Sequence, residues 1–494
     1  MNLDASLVEH KRGFDLHLQG RPSEAEPFYR KAVQLDPELK EAWMNLGLVA
    51  LSLGKAEEAQ QCQREALRLD PDMADAHNNL GMVHYSLGRM AEAESCFRAA
   101  LRLHPEHANA TLNLGSVRQI GNDVEEAEGL FRCALALGVD PARANSNLSL
   151  ALMEQVRPEE AETCCREALD MRPDYPEARA NLALALLMMG RLEEGWQAYE
   201  SRWHVEAMAA PPPTLPRPRW TGQALNGETV LLYAEQGFGD TLQFCRYASM
   251  VAAAGGRVVL VVPKPLGRLM TTLEGVAQVL SEDDAFVPPF DYHCPLLSLP
   301  FAFGTTMETI PAATPYLHAD PSVWAEALGA LPGLKVGLVW AGKSRIEQPH
   351  AVAIDRRRSM RLVDMAPLFA VAGVSFVSLQ LGPPAGQMRR PPGEIVLHDF
   401  SDRLGDWADT ADLIAGLDLV IAVDTAVVHL AGALGKPVWM LNRFDSCWRW
   451  FIGRDDTPWY PTMRLFRQTR RGDWAGVIER VRVALQDLVA AGRR

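Results

Sequence analysis

Two short motifs in the second half of this 494-residue chain combine polar side chains with glycines and apolar runs. In "YAEQGFGDTLQF", Gly237 and Gly239 permit a sharp turn after an apolar run, and Asp240 stands where a helix would begin. Amides at a helix N-terminus favour an anion, but a phosphate alone would not favour a neighbouring carboxylate. Asp240 is therefore either the cap of its own helix or a catalytic base, and the pattern alone favours the cap.

The second motif is "VDTAVVHLAGALGKPVW". Asp424 and Thr425 come at the end of a predicted strand, and His429 follows Thr425 by one helical turn, so the two side chains share one face. A strand end that feeds a helix is where α/β sheets bind phosphorylated ligands. Thr425, His429 and the free amides could hold a diphosphate. In the alternative interpretation, Asp424 is a cap and His429 is a buried, hydrogen-bonded histidine.

Basic residues follow a predicted buried strand in "GLVWAGKSRIEQPHAVAIDRRRSMRL". Lys343 lies at the end of that strand, and Arg345 and the triplet 356–358 are predicted to lie in a long loop. Cations at this place could neutralise a departing diphosphate, although a charge run in a loop is more often only solvated. Near the C-terminus, "WRWFIGRDDTPWYPTMRLFRQ" contains Arg449 and Tyr460, which could border the same cleft.

Apolar strands alternate with helices around these motifs. The segment from "ETVLLY" to "RVVLVV" predicts a strand, a glycine loop, a helix and a second strand, which is a parallel βαβ unit. A second series starts at "LKVGLVWAGK", continues through "VSFVSLQ" and reaches "KPVWMLNR". We therefore predict two doubly wound lobes.

The first two hundred residues repeat with a spacing of 34, as in "WMNLGLVALSLGKAEEAQQCQREALRLDP" and "HNNLGMVHYSLGRMAEAESCFRAALRLHP". Small residues such as Gly47, Ala59 and Ala66 recur where two helices would approach closely, which predicts stacked helical hairpins. The pattern resembles the tetratricopeptide repeat, with six units. Prolines after "GWQAYESRWHVEAMAA" end the last helix and indicate a domain junction.

One position in the first helix of the repeat is asparagine in five successive units, which we call the asparagine column. Packing does not explain this choice, because asparagine is a poor helix former. Its amide offers donors and an acceptor that could grip the backbone of an extended peptide, or could bond locally between units. The column resembles that of the O-GlcNAc transferase repeats, which implies acceptor-peptide binding. Its members are Asn45, Asn79, Asn113, Asn147 and Asn181.

The charge and cysteine patterns narrow the function classes. The net charge of −13 comes from the N-terminal part, since residues 1–205 hold 33 acidic and 21 basic side chains against 29 and 28 in the remainder. This argues against a nucleic-acid-binding protein. No apolar segment approaches the ~20 residues of a membrane span. The eight cysteines lack metal-ligand spacing, so we expect reduced thiols and a cytoplasmic protein.

The pattern D-T-x-x-x-H-L-A-x-A-x-G-x-P resembles the donor-site signature of the lipopolysaccharide heptosyltransferase family, and "QGFGDTLQF" resembles its N-terminal loop. The resemblance extends over roughly residues 225–485. It implies a GT-B fold, a general-base role for Asp240 and a nucleotide-sugar donor held mainly by the C-terminal lobe. Lys343 departs from the asparagine common near this position in bacterial repeat-containing relatives. The donor-site residues assigned on this basis are Gly237, Gly239, Lys343, Arg358, Gln380, Asp424, Thr425 and His429.

The sequence therefore predicts an α + α/β chain in which a tetratricopeptide-repeat solenoid precedes a two-lobed GT-B domain. The expected function is an inverting, metal-independent transfer of sugar from a nucleotide sugar to a protein hydroxyl, with the acceptor protein recruited by the repeats. The alternatives are a heptosyltransferase-like enzyme with a glycan acceptor and an inactive repeat scaffold. Donor, acceptor and oligomeric state stay open. The predicted boundaries are 1–205 for the repeats, 206–225 for a Pro-rich linker, 226–332 for the N-terminal lobe and 333–494 for the C-terminal lobe.

Overall fold

A computed structural model describes residues 2–205, 208, 213–343, 349–389 and 396–492. Arg345 and much of the predicted linker, namely residues 206, 207 and 209–212, lie outside the described residues. The chain divides into two compact units, Met1–Gln155 with Glu167–Pro173, and Val156–Arg166 with Asp174–Arg494. This division falls inside the fifth predicted repeat, and the domain boundaries drawn from the sequence stay a prediction.

The N-terminal part of the chain is a succession of helices, as the 34-residue repeat predicts. Within the described residues, helices α1 to α12 follow one another in six pairs. Their bounds are α1 Asn2–Leu18, α2 Pro22–Leu35, α3 Lys40–Ser52, α4 Ala56–Leu69, α5 Ala74–Ser86, α6 Met90–Leu103, α7 Ala108–Ile120, α8 Val124–Ala136, α9 Pro141–Glu154, α10 Pro158–Met171, α11 Pro176–Met188 and α12 Leu192–Tyr199.

A glycine at one position of the first helix in the first four pairs allows the second helix to pack closely, and the fifth and sixth pairs have Ser149 and Ala183 there. A Cβ atom on Gly81 would lie 2.5 Å from a ring carbon of Phe97, and one on Gly115 would lie 2.6 Å from a ring carbon of Phe131. Both phenylalanine rings are buried. The glycine column is therefore a packing requirement.

The turn between the two helices of each pair also repeats, with one residue in the left-handed region. Glycine occupies this position in four of the six pairs, and Asn122 and Val156 occupy it in the fourth and fifth, with φ of 72° and 59°. A β-branched side chain is strained at such a φ. The glycine members of the column are Gly20, Gly54, Gly88 and Gly190.

Val156→Gly should stabilise the protein by about 1 kcal/mol. Left-handed backbone costs an L side chain roughly 1–2 kcal/mol, and the larger conformational entropy that glycine loses on folding offsets part of that gain. The midpoint of urea unfolding, followed by the helical circular dichroism signal, measures the change. Gly88→Val, which places the strained residue in another repeat, should lower the midpoint. A lower midpoint for Val156→Gly would contradict the strain argument.

The second unit contains two parallel sheets, which confirms the predicted α/β class. Sheet A has the order β3-β2-β1-β4, and sheet B has the order β10-β9-β8-β5-β6-β7. The strands are β1 Thr229–Tyr233, β2 Arg257–Val262, β3 Val276–Ser281, β4 Tyr292–Pro295, β5 Leu334–Val339, β6 Val374–Ser378, β7 His398–Asp399, β8 Leu419–Val423, β9 Val438–Asn442 and β10 Met463–Arg467.

Short helices connect these strands. The run of arginines that we predicted to lie in a loop belongs to helix α18, and that prediction is wrong: a proline at the helix start and the alanines after it favour a helix. The helices are α13 Phe238–Phe244, α14 Tyr247–Ala253, α15 Gly267–Met270, α16 Leu299–Ala302, α17 Ala325–Gly329, α18 Pro349–Arg358, α19 Ala366–Phe369, α20 Trp407–Ala415, α21 Ala426–Ala433 and α22 Trp474–Gly492.

Each sheet has one point at which the chain reverses its direction of winding. In sheet A this point lies between β1 and β4, and in sheet B it lies between β5 and β8. Ligands of open α/β sheets bind at the carboxyl ends of the strands beside such a point. We therefore expect ligands to bind at these two pairs of strand ends.

The two sheets meet around one buried arginine. Arg246, which lies between α13 and α14, donates hydrogen bonds to the carbonyls of Gln243 (2.8 Å), Pro311 (3.0 Å) and Trp459 (2.7 Å). It also donates to the Tyr316 hydroxyl at 2.8 Å. Trp459 follows β9 of sheet B. A guanidinium from the sheet A part of the chain therefore donates a hydrogen bond to a backbone carbonyl of the sheet B part.

Candidate functional site

The carboxyl ends of β5 and β8 carry the second sequence motif. Asp424 and Thr425 directly follow β8, and Thr425 is the N-cap of α21. Its hydroxyl oxygen is buried and has no hydrogen-bond partner within the part of the chain that the structure describes. A buried hydroxyl without a partner costs about 1–3 kcal/mol, which a ligand oxygen could recover.

His429 lies one turn along α21 and is buried. Its Nδ1 lies 2.9 Å from the Tyr460 hydroxyl, and its ring stacks on Trp450 with centroids 5.3 Å apart. Burial, and then the charges of Arg449 and Arg246, hold the pKa of His429 well below its usual range. The imidazole is therefore neutral at pH 7, and its Nε2 can make one hydrogen bond without carrying charge.

The glycine loop of sheet A packs directly against this histidine. A Cβ atom on Gly239 would lie 3.0 Å from Cδ2 and 3.6 Å from Nε2 of His429, and 3.5 Å from Cα of Ala426. Any larger residue would displace the imidazole. Thus α13 and α21 approach so closely that the two motifs, which are far apart in the sequence, form one site.

Asp240 has two partners in this site. Its Oδ2 accepts a hydrogen bond from the Gly237 amide at 2.9 Å. Gly237 is the N-cap of α13 and Asp240 is the third residue of the helix, so Asp240 caps from inside the helix and not from the N-cap position that the sequence pattern favours. Its Oδ1 forms an ion pair with Arg449 Nη2. The side chain keeps 21% of its surface exposed, so an acceptor could still reach the carboxylate. The base role of Asp240 stays a prediction.

Arg449 is held on several sides. Its Nε donates to Gln243 Oε1 at 2.8 Å, and its guanidinium lies 4.2 Å from the centroid of the Trp448 ring. The sequence placed Arg449 or Tyr460 at the border of a cleft. In the structure Tyr460 contacts His429 and Arg449 contacts Asp240, so both are next to the two motifs.

A second arginine joins the ends of β5 and β8. Arg358, at the end of α18, donates from Nη1 to the Asp424 carbonyl at 3.1 Å. Its guanidinium also covers Gly342, where a Cβ atom would lie 2.6 Å from Nη2. The carboxylate of Asp355 pairs with it at 2.5 Å. A permanent cation therefore lies at the reversal point of sheet B, beside Thr425.

Two other predicted donor residues are placed differently. Lys343 is exposed after β5. Gln380 is buried, and its Oε1 accepts from the amides of Trp340 (3.1 Å) and Ala341 (2.9 Å). Its Nε2 donates to the carbonyls of Ala341 and Leu381, both at 3.1 Å. The amide of Gln380 fixes the loop after β5, and a direct ligand contact would have to replace one of these bonds.

The asparagine column makes hydrogen bonds within the repeats. Asn45 Nδ2 lies 2.9 Å from His10 Nε2 in the preceding pair of helices. Asn147 Nδ2 donates to Ser116 Oγ at 3.3 Å. Asn79 accepts at 3.4 Å from Asn78.

A buried polar chain links three repeats at the centre of this column. Asn113 Nδ2 donates to Asn78 Oδ1 at 2.9 Å, and Arg143 Nη2 donates to Asn113 Oδ1 at 2.8 Å. Asn181, in the last pair, is buried and has partners of its own. Bonding between units, the alternative that the sequence left open, therefore occurs, while peptide binding by the column stays a prediction.

One charged group at the other reversal point escaped the sequence analysis. Arg202, in the short 3-10 turn Glu200–His204, is fully buried and donates to Glu235 at 3.0 and 2.9 Å, to Ser298 Oγ at 2.7 Å and to Glu200 at 2.8 Å. Burial alone would lower the pKa of Arg202, but Glu235 and Glu200 raise it. Glu235 follows β1 within the quoted glycine motif, so its position was the available signal.

Comparisons with known proteins identify two kinds of sequence in the chain. Tetratricopeptide-repeat models match residues 16–62, 44–95, 72–138 and 152–200. The model of glycosyltransferase family 9 (heptosyltransferase) matches residues 406–442, which span α20, β8, α21 and β9 and contain Asp424, Thr425 and His429. The chain combines tetratricopeptide repeats with a glycosyltransferase-like region. The family 9 match is much shorter than the resemblance over 225–485 that the motifs suggested.

A curated relative is Protein FlbA of Caulobacter vibrioides, which is 31% identical over 327 residues. The match covers 61% of this tetratricopeptide-repeat and glycosyltransferase-like chain, and the chain spans about half of FlbA (53%).

Solved structures with similarity to the chain include the APC/C hetero-tetramer Cut9-Hcn1, with 19% identity, a TM-score of 0.39 and coverage of 40% of each chain. Another is a thermophilic tetratricopeptide protein of Thermus thermophilus, with 24% identity, a TM-score of 0.34 and coverage of 37% of this chain and 99% of the other. At these scores the structures add nothing to the functional interpretation.

The described residues contain neither a grouped set of metal ligands nor a helix that could span a bilayer. Within residues 2–205, 208, 213–343, 349–389 and 396–492, no three histidine, cysteine, aspartate or glutamate side chains are grouped so that they could hold a metal ion. Over the same residues, each helix is too short or too polar to cross a bilayer.

Proposed function

We propose that this protein is an inverting glycosyltransferase that moves a sugar from a nucleotide-sugar donor to a hydroxyl of a protein acceptor. The observation that carries the proposal is the contact between Gly239 and His429, which joins the glycine loop of sheet A to the strand end of sheet B that matches family 9. Two sheets that share a site at their strand ends agree with a GT-B arrangement, with sheet B on the nucleotide side.

The donor diphosphate would lie at the ends of β5 and β8. Thr425 offers an unpartnered buried hydroxyl, neutral His429 offers one ring nitrogen, and Arg358 supplies a fixed positive charge. Groups that are already oriented toward developing negative charge stabilise a leaving group without reorganisation. Because these groups can make several hydrogen bonds to the departing diphosphate, we propose that the reaction does not need a metal ion.

The chemical step would use Asp240 as the base. Its carboxylate takes the proton of the acceptor hydroxyl while the acceptor oxygen forms a bond to the anomeric carbon of the sugar. The bond from that carbon to the diphosphate oxygen breaks, and its electron pair leaves with the nucleoside diphosphate. Attack on the face opposite the leaving group inverts the anomeric configuration. Asp240 would be suited to this role because it is exposed enough to meet an acceptor and lies next to Gly239.

The repeats would recruit the acceptor protein. Repeat arrays present extended surfaces that bind protein segments, and amide side chains can bond a peptide backbone without demanding a sequence. Asn45 and Asn147 are only partly buried, so they keep surface for such a contact. Asn79, Asn113 and Asn181 would contribute mainly by holding the helices in register.

The test is to incubate the purified full chain with UDP-, GDP-, ADP- and CDP-linked sugars, measuring nucleotide release and the shift of the melting temperature. One donor should be hydrolysed slowly and should raise the melting temperature, since a ligand that binds only the folded state stabilises it. Thr425→Val should weaken both effects. Thr462→Val, which removes an exposed hydroxyl at the start of β10, should change neither. The absence of any bound donor would contradict the proposal, and binding without release would favour a scaffold.

A glycan acceptor is the second candidate, because the description of the matched family names a heptosyltransferase. The chemistry at Asp240 would be the same. Cell extract incubated with the identified donor in radiolabelled form distinguishes the two: label in the protein fraction supports a protein hydroxyl, and label in the glycan or lipid-linked fraction supports the second candidate.

A further inference from the structure

The proposed base is neutralised by a neighbour in the structure. The Asp240 carboxylate pairs with Arg449 Nη2, while its second oxygen caps α13 through the Gly237 amide. Arg449 and the Gly237 amide thus occupy both oxygens of the carboxylate. An acceptor hydroxyl would have to displace the guanidinium from Oδ1 to deliver its proton there, which conflicts with the role that the proposed function gives Asp240.

Contacts other than the ion pair also hold the Arg449 side chain beside Asp240. Its side chain is 11% exposed, its Nε is fixed by Gln243 and its plane rests on Trp448. Among the described residues, Asp240 is the anionic group with which it forms an ion pair. If the Asp240 pair breaks, the guanidinium still has these two supports and needs another anion to replace the carboxylate.

The place where such an anion would bind is next to Arg449. Gly239, the neighbour of Asp240, contacts the His429 ring, and Trp450, the neighbour of Arg449, stacks on the same ring. The charge of Arg449 is close enough to help lower the pKa of His429, after the larger effect of burial. Arg449 is therefore the chain neighbour of a residue that stacks on His429, beside the diphosphate position that we propose on α21.

We propose that Arg449 exchanges partners, from the Asp240 carboxylate in the empty site to the donor diphosphate in the loaded site. This inference rests on the proposed function, because it needs the diphosphate to bind beside His429. Donor binding then removes the cation from Asp240 and frees Oδ1 to receive the acceptor proton at the moment when the sugar is present. Without donor, the base stays neutralised.

The exchange predicts that Asp240 and the diphosphate compete for Arg449. In the wild-type protein, part of the binding free energy of a nucleoside diphosphate is spent on breaking the ion pair. Asp240→Asn removes that cost, so the nucleoside diphosphate should bind more tightly, on the order of tenfold for a coupling of ordinary size. The matching nucleoside, which has no phosphate, should bind equally well to both proteins.

A second substitution separates exchange from simple repulsion between a carboxylate and a phosphate. In an Arg449→Met background the shared cation is absent, so under exchange Asp240→Asn should no longer tighten binding by tenfold. If Asp240 acted only by repelling the phosphate, its removal would tighten binding in this background at least as much as in the wild type.

The experiment is isothermal titration calorimetry of the full chain with ADP, CDP, GDP and UDP and the four nucleosides. The proteins are wild type, Asp240→Asn, Arg449→Met and the double variant, and Asp456→Asn is the matched control because its carboxylate pairs with the guanidinium of Arg454 elsewhere. Tightening of a nucleoside diphosphate by Asp240→Asn that disappears with Arg449→Met supports the exchange. Unchanged affinity in Asp240→Asn, or tightening that persists without Arg449, overturns the exchange alone. If no nucleotide binds any of the proteins, the proposed donor site fails as well.

Discussion

Asp240→Asn should lower the rate of sugar transfer by a factor of about 10² to 10⁴, the usual contribution of a general base, while the folded structure is kept. Asparagine cannot accept the acceptor proton, but its side-chain oxygen can still receive the Gly237 amide and cap α13. The measurement is the initial rate of product formation at saturating donor. The melting temperature of the free protein should change little.

Asp456→Asn is the control for this prediction, since it also removes a carboxylate that pairs with an arginine. Its rate should equal that of the wild type. If Asp240→Asn kept most of the wild-type rate, Asp240 would be a cap only, as the sequence pattern alone suggests. A large fall in melting temperature together with the rate would make the variant uninformative about chemistry, and Asp240→Gln, whose side-chain oxygen can also reach back to the Gly237 amide from the third helical position, would then replace it.

Arg202→Met should destabilise the second unit by about 3–5 kcal/mol, because it leaves the carboxylate of Glu235 buried without its cation. The side chain of Glu235 is only 2% exposed, and apart from Arg202 its polar contact is the Leu297 amide at 3.0 Å. Urea unfolding followed by tryptophan fluorescence measures the loss. Methionine fills much of the arginine volume, so the charge is the main change.

The double variant Arg202→Met with Glu235→Gln should recover most of this loss, because no buried charge is then left without a partner. Arg482→Met removes an ordinary surface pair with Glu479 and should cost less than 1 kcal/mol. A single Arg202 variant as stable as the surface control would show that Glu235 is protonated or reached by water.

The fold could be predicted from the sequence because its signals are local. A spacing of 34 with small residues at fixed positions identifies the repeats, and short apolar runs separated by helices identify the parallel sheets. The prediction is wrong for α18, whose arginines we expected in the long loop after β5, although the proline and alanines before them favour a helix.

The candidate site was less predictable because its contacts are long-range. The sequence selected Asp240 and His429 separately, but it could not show that Gly239 touches His429, or that Asp240 pairs with Arg449. Both contacts depend on how α13 and α21 pack. Gln380 shows the opposite case: the family resemblance implied a donor contact, while its amide is occupied by backbone groups of the adjoining loop.

The buried guanidinium of Arg246 limits how the two sheets can move against each other. If the sheets separated at this point, the Arg246 guanidinium would lose its hydrogen bond to the Trp459 carbonyl. Because the guanidinium is buried, water would not replace that bond, and the loss is costly. Arg268 of α15 pairs with Asp406, which caps α20, and with Asp409, but its side chain is 54% exposed, so water can replace these contacts more easily than those of the buried Arg246. Thermal opening should therefore be a hinge motion with its pivot at Arg246 and its widest displacement at Arg268, on the microsecond-to-millisecond scale of such motions. A bulky substrate would enter from the Arg268 edge.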